Sequence, residues 1–475
     1  MNIIRKFFSV TGMVKHEYIL GSLVGSKDAY RNLLKIAIPA IIEMVFVSLI
    51  GSVDIVMVGR LGFEAIASVG LATQPRMILL SVFMALNIGI TAIVARRKGE
   101  GLPEAAALAL RNSLVIVLGL TAVVTVVAIV FSRQIMLVSG AQHDTIDMAD
   151  DYFRIMAYFL PVSTITMCVN AAQRGVGNTR ITMIANVAAN IVNVFFNYLL
   201  IFGNWGFPRL GVAGAAWASG IGLCVGLGIS VYSIFHDKST GNFLHISMHD
   251  NWRLDRDTVR SIFKIGGNSV LEQIAQRFGL FIYSVIIARI GTAAFAAHQV
   301  GMQFLSFSFN FGSGLAAASI TLVGQMLGQK RADLAIIYGK CSQRLALFIS
   351  VALAAVIIVF RNPLISIFLV RNDPANILSF GMAVNLMFIV AMFQPPQTSC
   401  LVYAGCLRGA GDNLYVAMTM FICVALFRPL FSALAVYVFH FGLIGAWATS
   451  FIDICLRLAF LYHRFAGSKW HKLTV

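Results

Sequence analysis

The chain has 475 residues, of which 59% are hydrophobic and only 12% charged, and its mean hydropathy is +0.83. Soluble proteins carry about 25% charged residues, so this composition excludes a large water-soluble domain. The net charge of +16 does not indicate a nucleic acid partner, because Lys and Arg are concentrated in short breaks between apolar segments, as in the loops of membrane proteins. We therefore expect a protein embedded in the lipid bilayer that binds no nucleic acid.

Twelve apolar segments are long enough to cross a bilayer, which takes about 20 helical residues. Each segment must be helical, because backbone groups in lipid have no water to bond. The sequence predicts an all-α integral membrane protein with twelve transmembrane helices. The expected spans are 34–58, 66–95, 105–132, 152–173, 180–203, 211–236, 261–288, 295–327, 335–360, 377–406, 414–439 and 443–466.

Basic residues alternate between the loops and predict the orientation. They are dense before the first span, at Arg96–Lys98, in the central loop that includes Lys238, and in the tail, whereas the intervening loops hold few. This bias predicts that both termini are cytoplasmic in a multi-pass protein of the plasma membrane, of the bacterial inner-membrane type. Apolar and basic residues alternate at 3–8 and indicate either a short interfacial helix or a frayed tail.

The two halves of the chain repeat each other. Residues 35–62 align without a gap on 264–291, so that Glu43 falls on Glu272, and Arg174 in "RGVGN" matches Arg408 in "RGAGD". Each half has an even number of spans and inserts with the same polarity. This predicts two six-helix lobes related by a pseudo-twofold along the membrane normal, with the substrate path between them. The expected organisation is an N-terminal segment 1–32, an N-lobe 33–236, a cytoplasmic linker 237–257, a C-lobe 258–466 and a tail 467–475.

Five motifs give the chain a family likeness over about 35–461: "SVDIVMVGRLG" from Ser52, "AAQRGVGNTR" from Ala171, "GFPRLGVAGAAWAS" from Gly206, "AAHQV" from Ala296 and "GCLRGAGD" from Gly405. Together with Pro39 they resemble the multidrug and toxic compound extrusion (MATE) transporters. The resemblance implies a twelve-helix exporter of small amphipathic or cationic organic substrates. It also implies alternating access driven by antiport of Na⁺ or H⁺, no cofactor, and a monomer.

Asp54 is the best candidate for a cation-coupling residue, because ionisable groups inside a membrane are costly and need a reason. Asn190, Asn193 and Asn197 recur at helical spacing in the fifth span and could supply further oxygens. The alternative is that these amides only connect helices. The resemblance implies a cation site, with Na⁺ as one possible ion, on Asp54, Asn193, Asn197 and Ser219.

The resemblance is incomplete in both lobes. Some family members have an acid where Asn197 stands, and several have acids in spans seven and ten where this chain has Gln276 and Gln397. A second cation site in the C-lobe is therefore doubtful, and the two glutamines are candidate substrate contacts.

Other residues are candidates for the cavity wall or for helix packing. Glu43 and Glu272 could attract cationic compounds, or Glu272 or Arg277 could form an ion pair between helices. The stripe Phe304, Phe307 and Phe311 could face a permissive pocket, although such a stripe more often faces lipid or a neighbouring helix. The complete set of possible cavity or substrate contacts is Glu43, Glu272, Gln276, Arg277, Tyr283, Phe307, Phe311 and Gln397.

Two other function classes compete with an exporter. A flippase for lipid-linked precursors would usually have extra spans and a more cationic central cavity. A membrane enzyme would need converging catalytic side chains, and we find no such cluster and no GxxxxGK[ST] nucleotide loop. The sequence therefore favours transport driven by an ion gradient and does not predict an enzyme.

Overall fold

The computed structural model describes residues 7–10, 12–14, 16–235, 243–247, 249–366, 377–467 and 469–473. Residues 3–6 of the expected interfacial segment and Lys238 of the expected linker lie outside the described residues. Across the described ranges the secondary structure is helical, without a strand. The all-α prediction is confirmed.

Twelve spans can be recognised in the described part of the chain, eleven as single helices and one as a bent pair. They agree with the twelve segments expected from hydropathy. We number them α1 (Ser26–Gly59), α2 (Phe63–Gly99), α3 (Pro103–Val130), α4 (Ile146–Tyr158 with Leu160–Gly175), α5 (Thr179–Phe202), α6 (Gly211–Phe235), α7 (Arg256–Ala288), α8 (Thr292–Gly328), α9 (Ala332–Val359), α10 (Ile377–Gly409), α11 (Asn413–Val438) and α12 (Gly442–Ala466). Short helices at Ser132–Val138 and Arg361–Ser366 follow α3 and α9.

Local sequence signals explain several helix ends. The carboxylate of Asp255 accepts hydrogen bonds from the Thr258 N–H at 2.8 Å and the Thr258 hydroxyl at 2.6 Å, which caps the start of α7. The same two bonds hold the pKa of Asp255 below its usual value. Pro103 occupies the first turn of α3, where its missing N–H costs nothing.

Span α4 is not the single straight helix that the hydropathy suggests. Its two parts meet at Phe159 with a bend of 48°. Pro161 stands in the first turn of the second part and cannot continue the hydrogen-bond ladder of the first. The ring of Phe159 packs edge-on against Trp217 of α6, at a centroid distance of 5.5 Å.

Span α11 departs from regular α-helix in two places. Phe421–Phe427 and Leu434–Val438 are wound as π-helix, on either side of a short α segment at Arg428–Ala433. Pro429 lies in that short segment and removes one backbone donor. Such π insertions change which side chains share a face and are frequent at functional sites.

The chain divides into two compact units. The N-unit is Ile42–Gly267, and the C-unit combines Met1–Ile41 with Asn268–Val475. The division cuts α1 after Ile41 and α7 after Gly267, so that each of these helices contributes to both units. The lobe limits expected at 33–236 and 258–466 remain predictions.

The C-unit is anchored on its own N-terminal segment. Arg331 donates to the Ser22 carbonyl at 2.8 Å, and Lys340 donates to the Met13 carbonyl at 2.5 Å. Asp333, which is fully buried, accepts from the Leu20 N–H at 3.3 Å and pairs with Arg331 at 2.8 Å. In the N-unit, Asp250 of the expected linker forms an ion pair with Arg111 of α3 at 3.2 Å. This contact holds that part of the linker against the N-unit.

Candidate functional site

Asp54 lies inside the N-unit against the polar face of α5. Its Oδ1 accepts a hydrogen bond from Asn197 Nδ2 at 2.6 Å, and the same nitrogen lies 3.3 Å from Asn193 Oδ1. Asn193 in turn donates to the Ser219 hydroxyl of α6 at 3.0 Å. The structure therefore brings together all four residues of the expected cation site.

The cluster contains acceptor oxygens suited to a proton or a hard cation. Asn193 and Asn197 are 5% and 1% exposed, so their amides are shielded from water by protein. Asn197 Oδ1 is buried and has no hydrogen-bond partner. A buried acceptor without a partner is costly, and a bound cation would satisfy it. Tyr152 of α4, which has no distinguishing signal in the sequence, interacts electrostatically with both Asp54 and Arg76.

Two further asparagines of α5, Asn186 and Asn190, lie outside this cluster and make different contacts. Asn186 donates to Glu43 Oε1 at 2.6 Å, and Asn190 donates to the carbonyl of Asn186 at 2.7 Å. Glu43 also accepts from Thr182 at 2.9 Å and pairs with Arg174 at 3.2 Å. It is 3% exposed. Glu43 is thus a neutralised packing group that connects α1 to α4 and α5.

Glu272 repeats this arrangement in the C-unit. It forms an ion pair with Arg408 at the end of α10 and accepts from Gln276 at 3.3 Å. Glu272 is 1% exposed. Of the alternatives given for this residue, the structure selects the ion pair between helices, with Arg408 as the partner. Arg277 is exposed.

The C-unit encloses a cavity of about 260 Å³ among α7, α8, α10, α11 and α12. Gln276, Tyr283 and Gln397 from the expected set line it, whereas Glu43, Glu272, Arg277, Phe307 and Phe311 do not. On α8 the wall is formed by Leu305 and Phe309, and Phe307 is 41% exposed. The aromatic wall is completed by Phe393 and Trp447.

The charged wall of this cavity does not follow from the sequence pattern alone. Arg428 and Arg457 both line it, and both bind Asp453, which is fully buried behind them. The sequence shows Asp453 and Arg457 one helical turn apart in α12, a spacing that favours an ion pair. Arg428 lies in a different helix, and its pairing with Asp453 has no local signal.

His298, the histidine of the "AAHQV" motif, lies near the start of α8. It is 2% exposed and packs edge-on against Tyr283 and Trp447, at centroid distances of 5.6 Å each. The imidazole therefore forms part of the packing behind the cavity wall.

Comparison with known proteins decides the family. The MatE family model matches residues 39–199 and 269–434, which is most of both halves. The chain belongs to the MATE family. It is therefore a membrane transporter rather than an enzyme.

Relatives and solved structures agree with this assignment. A probable multidrug resistance protein NorM of Thermotoga maritima is 28% identical over 447 residues, which is 94% of each chain. A MOP superfamily transporter from Pyrococcus furiosus superposes with a TM-score of 0.85 at 20% identity, covering 94% of this chain and 97% of that one. A MATE transporter in its bent conformation gives 0.84 at 20% identity, covering 92% and 95%. These likenesses confirm the two-lobe, twelve-helix fold.

The MATE assignment also clarifies which motif residues are structural. "RGVGN" and "RGAGD" supply Arg174 and Arg408, the partners of the two buried glutamates. Within these motifs Gly175 approaches Thr91 and Gly409 approaches Ile320, closely enough that a Cβ would lie 2.9 Å or less from a backbone oxygen. The motifs therefore fix helix packing in each half.

Proposed function

We propose that this MATE protein exports amphipathic organic compounds by antiport against Na⁺ or H⁺, with Asp54 as the coupling residue. The Asp54 cluster in the N-unit supports the proposal most directly. A carboxylate that receives one short bond from Asn197, beside an amide oxygen without a partner, is suited to bind and release a small cation. Transport of this kind would proceed by alternating access.

The names of the relatives support the export of varied compounds. The Thermotoga relative is named as a probable multidrug resistance protein, and the cavity of the C-unit combines aromatic walls with Met302 and Met420, which suit ligands of different shape. One argument for cationic substrates, besides the family resemblance, was that Glu43 and Glu272 could attract them. Because both acids are paired with arginines, they give that substrate class no support.

We further propose the setting in which the protein works. The basic loops favour cytoplasmic termini, and the bacterial source of the named relative supports an inner-membrane location. The two homologous halves act as lobes of one transporter, joined by the segment around 237–257, and the described part of one chain holds twelve spans when the bent pair counts as one. The transporter therefore works as a monomer.

The test is ion-driven transport in proteoliposomes that contain the full chain. An imposed Na⁺ or H⁺ gradient should drive accumulation of rhodamine 6G, an amphipathic cation, or of 1-naphthoate, an amphipathic anion. Asp54→Asn should abolish the gradient-dependent part, because the amide is nearly isosteric but cannot exchange a charge. Gln397→Ala should retain appreciable gradient-dependent transport, since Gln397 is neutral and carries no coupling charge.

Two results would contradict the proposal. Gradient-dependent transport that persists in Asp54→Asn would place coupling elsewhere. Transport of neither probe under either gradient, in vesicles with a confirmed amount of folded protein, would remove the antiport mechanism.

A further inference from the structure

The cavity of the C-unit has an excess of positive charge. Arg428 donates to Asp453 Oδ2 through Nε at 2.9 Å and Nη2 at 2.6 Å, and Arg457 donates to the same oxygen at 3.1 Å. Two guanidinium groups thus share one carboxylate. The two arginines line the cavity, while Asp453 is fully buried and does not contribute to the wall.

The neighbouring charges do not cancel this excess. No acidic side chain is among the described residues that line the cavity. Glu272, which Gln276 contacts from the edge of the cavity, is matched by Arg408. His298 lies within electrostatic range of Arg428 and can add only positive charge. The cluster therefore keeps one net positive charge, which is expensive inside a membrane unless a ligand compensates for it.

The wall also offers hydrogen-bond donors without acceptors. Trp447 Nε1 and Arg457 Nε are both buried and have no partner. Trp447 is 1% exposed and Arg457 7% exposed, so solvent does not satisfy them. Asp453 Oδ1 is also buried without a partner, but the unpaired donors and the excess positive charge together favour a ligand with acceptor oxygens and negative charge.

The remaining walls indicate the rest of the ligand. Phe309, Phe393 and Tyr283 present aromatic surface to the cavity, and Arg428 lies over the Tyr283 ring at 5.7 Å. The volume of about 260 Å³ lies just below the roughly 300–1,000 Å³ of pockets for drug-sized ligands, so the ligand must be small. A compact aromatic body with one acidic group fits this space.

We propose that the C-unit cavity binds an amphipathic organic anion, an aromatic carboxylate, through Arg428 and Arg457. The inference rests on the proposed export function and names its substrate class. The carboxylate accepts hydrogen bonds from the guanidinium groups and the Trp447 N–H, while its ring packs on the phenylalanines. Gln276 and Gln397 supply neutral polar contacts, so that no acid repels the anion.

The first test compares two probes of similar shape and opposite charge. Purified full-length protein in an uncharged detergent is titrated with 1-naphthoate and with 1-naphthylmethylammonium, using equilibrium dialysis. We expect the carboxylate to bind at least tenfold more tightly than the ammonium compound. Equal binding, or tighter binding of the ammonium compound, would overturn the proposal.

Variants locate the binding to this cavity. Arg457→Gln should weaken 1-naphthoate binding at least tenfold. Arg361→Gln removes the same charge from a residue of the C-unit that packs on Phe388 outside the cavity wall, and it should leave binding unchanged. Gln397→Glu adds an acid to the wall and leaves the Arg–Asp–Arg cluster intact, so it should reverse the preference between the two probes.

Each outcome decides the matter. A folded Arg457→Gln protein that keeps its 1-naphthoate affinity would refute the site, as would an unchanged preference in Gln397→Glu. If Arg457→Gln does not fold, Gln397→Glu still provides the test. Because binding is measured without an ion gradient, it is separate from the antiport assay. If the protein prefers the ammonium probe but its transport depends on Asp54, only this inference is wrong. If it binds 1-naphthoate but shows no gradient-driven transport, only the proposed function is wrong.

Discussion

Two buried glutamates at repeat-related positions have acquired the same kind of partner. Glu43 pairs with Arg174 and Glu272 with Arg408, and both arginines belong to repeat-related motifs. Both acids are almost fully buried. Removal of one member of a buried pair leaves the other charge without compensation, which is strongly destabilising. At the scale of the residue, these two acids therefore stabilise the folded protein.

We predict that Glu43→Gln lowers stability by about 3 kcal/mol, within the usual range for breaking a buried pair. The replacement amide keeps one acceptor oxygen and turns its donor hydrogens towards either Thr182 or Asn186, both of which now donate to the carboxylate, at 2.9 and 2.6 Å. The measurement is the thermal unfolding midpoint of detergent-purified protein, followed by size-exclusion chromatography.

An exposed ion pair provides the control for this change. Arg133 and Asp147 are bonded at 3.0 Å, with side chains 55% and 76% exposed. Asp147→Asn should cost less than about 1 kcal/mol, because exposed pairs contribute little. Equal losses in the two variants would show that Glu43 is not a structural anchor.

At the scale of the element, hydropathy was sufficient to predict the twelve spans, because each span must satisfy its backbone internally. It did not predict the bend of α4 at Phe159 or the π-wound parts of α11. Hydropathy registers neither Pro161, which interrupts the hydrogen-bond ladder of α4, nor contacts between helices such as Phe159 with Trp217 and Arg428 with Asp453. Such contacts have no signature in the local sequence.

Helix contacts at glycine give a sharp prediction for α7 and α11. A Cβ at Gly279 would lie 2.0 Å from the Val424 carbonyl oxygen, so Gly279→Ala must force the two helices apart. Close approach through small residues is a main source of helix association in membranes. We expect Gly279→Ala to reduce the yield of monodisperse protein several-fold.

Gly381 is the matched control for that substitution. It lies in α10 of the same unit and is exposed, and a Cβ added there would meet no atom within 4 Å. Gly381→Ala should leave the yield unchanged or raise it, since Ala favours helix by about 1 kcal/mol over Gly. A Gly279→Ala protein with normal yield and melting temperature would contradict the close contact.

At the scale of the whole molecule, the repeat and the motifs were enough to predict a MATE transporter and to group Asp54 with Asn193, Asn197 and Ser219. Those residues recur at helical spacing or lie in recognisable motifs. The charge of the C-unit cavity was missed, because Arg428, Asp453 and Arg457 come together from two helices. The partners of Glu43 and Glu272 were missed for the same reason, since each lies more than a hundred residues away.

Two helices, α1 and α7, belong to both units, and each has a helix-weakening residue close to the division. The units divide α1 after Ile41 and α7 after Gly267. Pro39 lies just before the first division, and Gly266 and Gly267 stand at the second. Proline and glycine are the residues that weaken a helix. The chain passes from one unit to the other at these two divisions, so we expect a movement of one unit against the other to bend α1 and α7.

We therefore predict that Gly267→Ala slows transport without harming the fold. A Cβ at this position meets no atom within 4 Å, so the substitution introduces no clash. It stiffens α7 by about 1 kcal/mol, the preference of a helix interior for Ala over Gly. If α7 must bend in the slow step, the turnover falls about fivefold. The initial rates of 1-naphthoate and rhodamine 6G transport in proteoliposomes, at matched protein content, measure this effect.

Gly119→Ala in α3 is the matched control. A Cβ at this position also meets no atom within 4 Å, and the residue lies within a single unit, so its transport rate should stay unchanged. Because the substitution acts on the movement and not on the cavity, Gly267→Ala should bind 1-naphthoate with the affinity of the unmodified protein. An unchanged rate in Gly267→Ala would show that α7 does not bend at this glycine during transport.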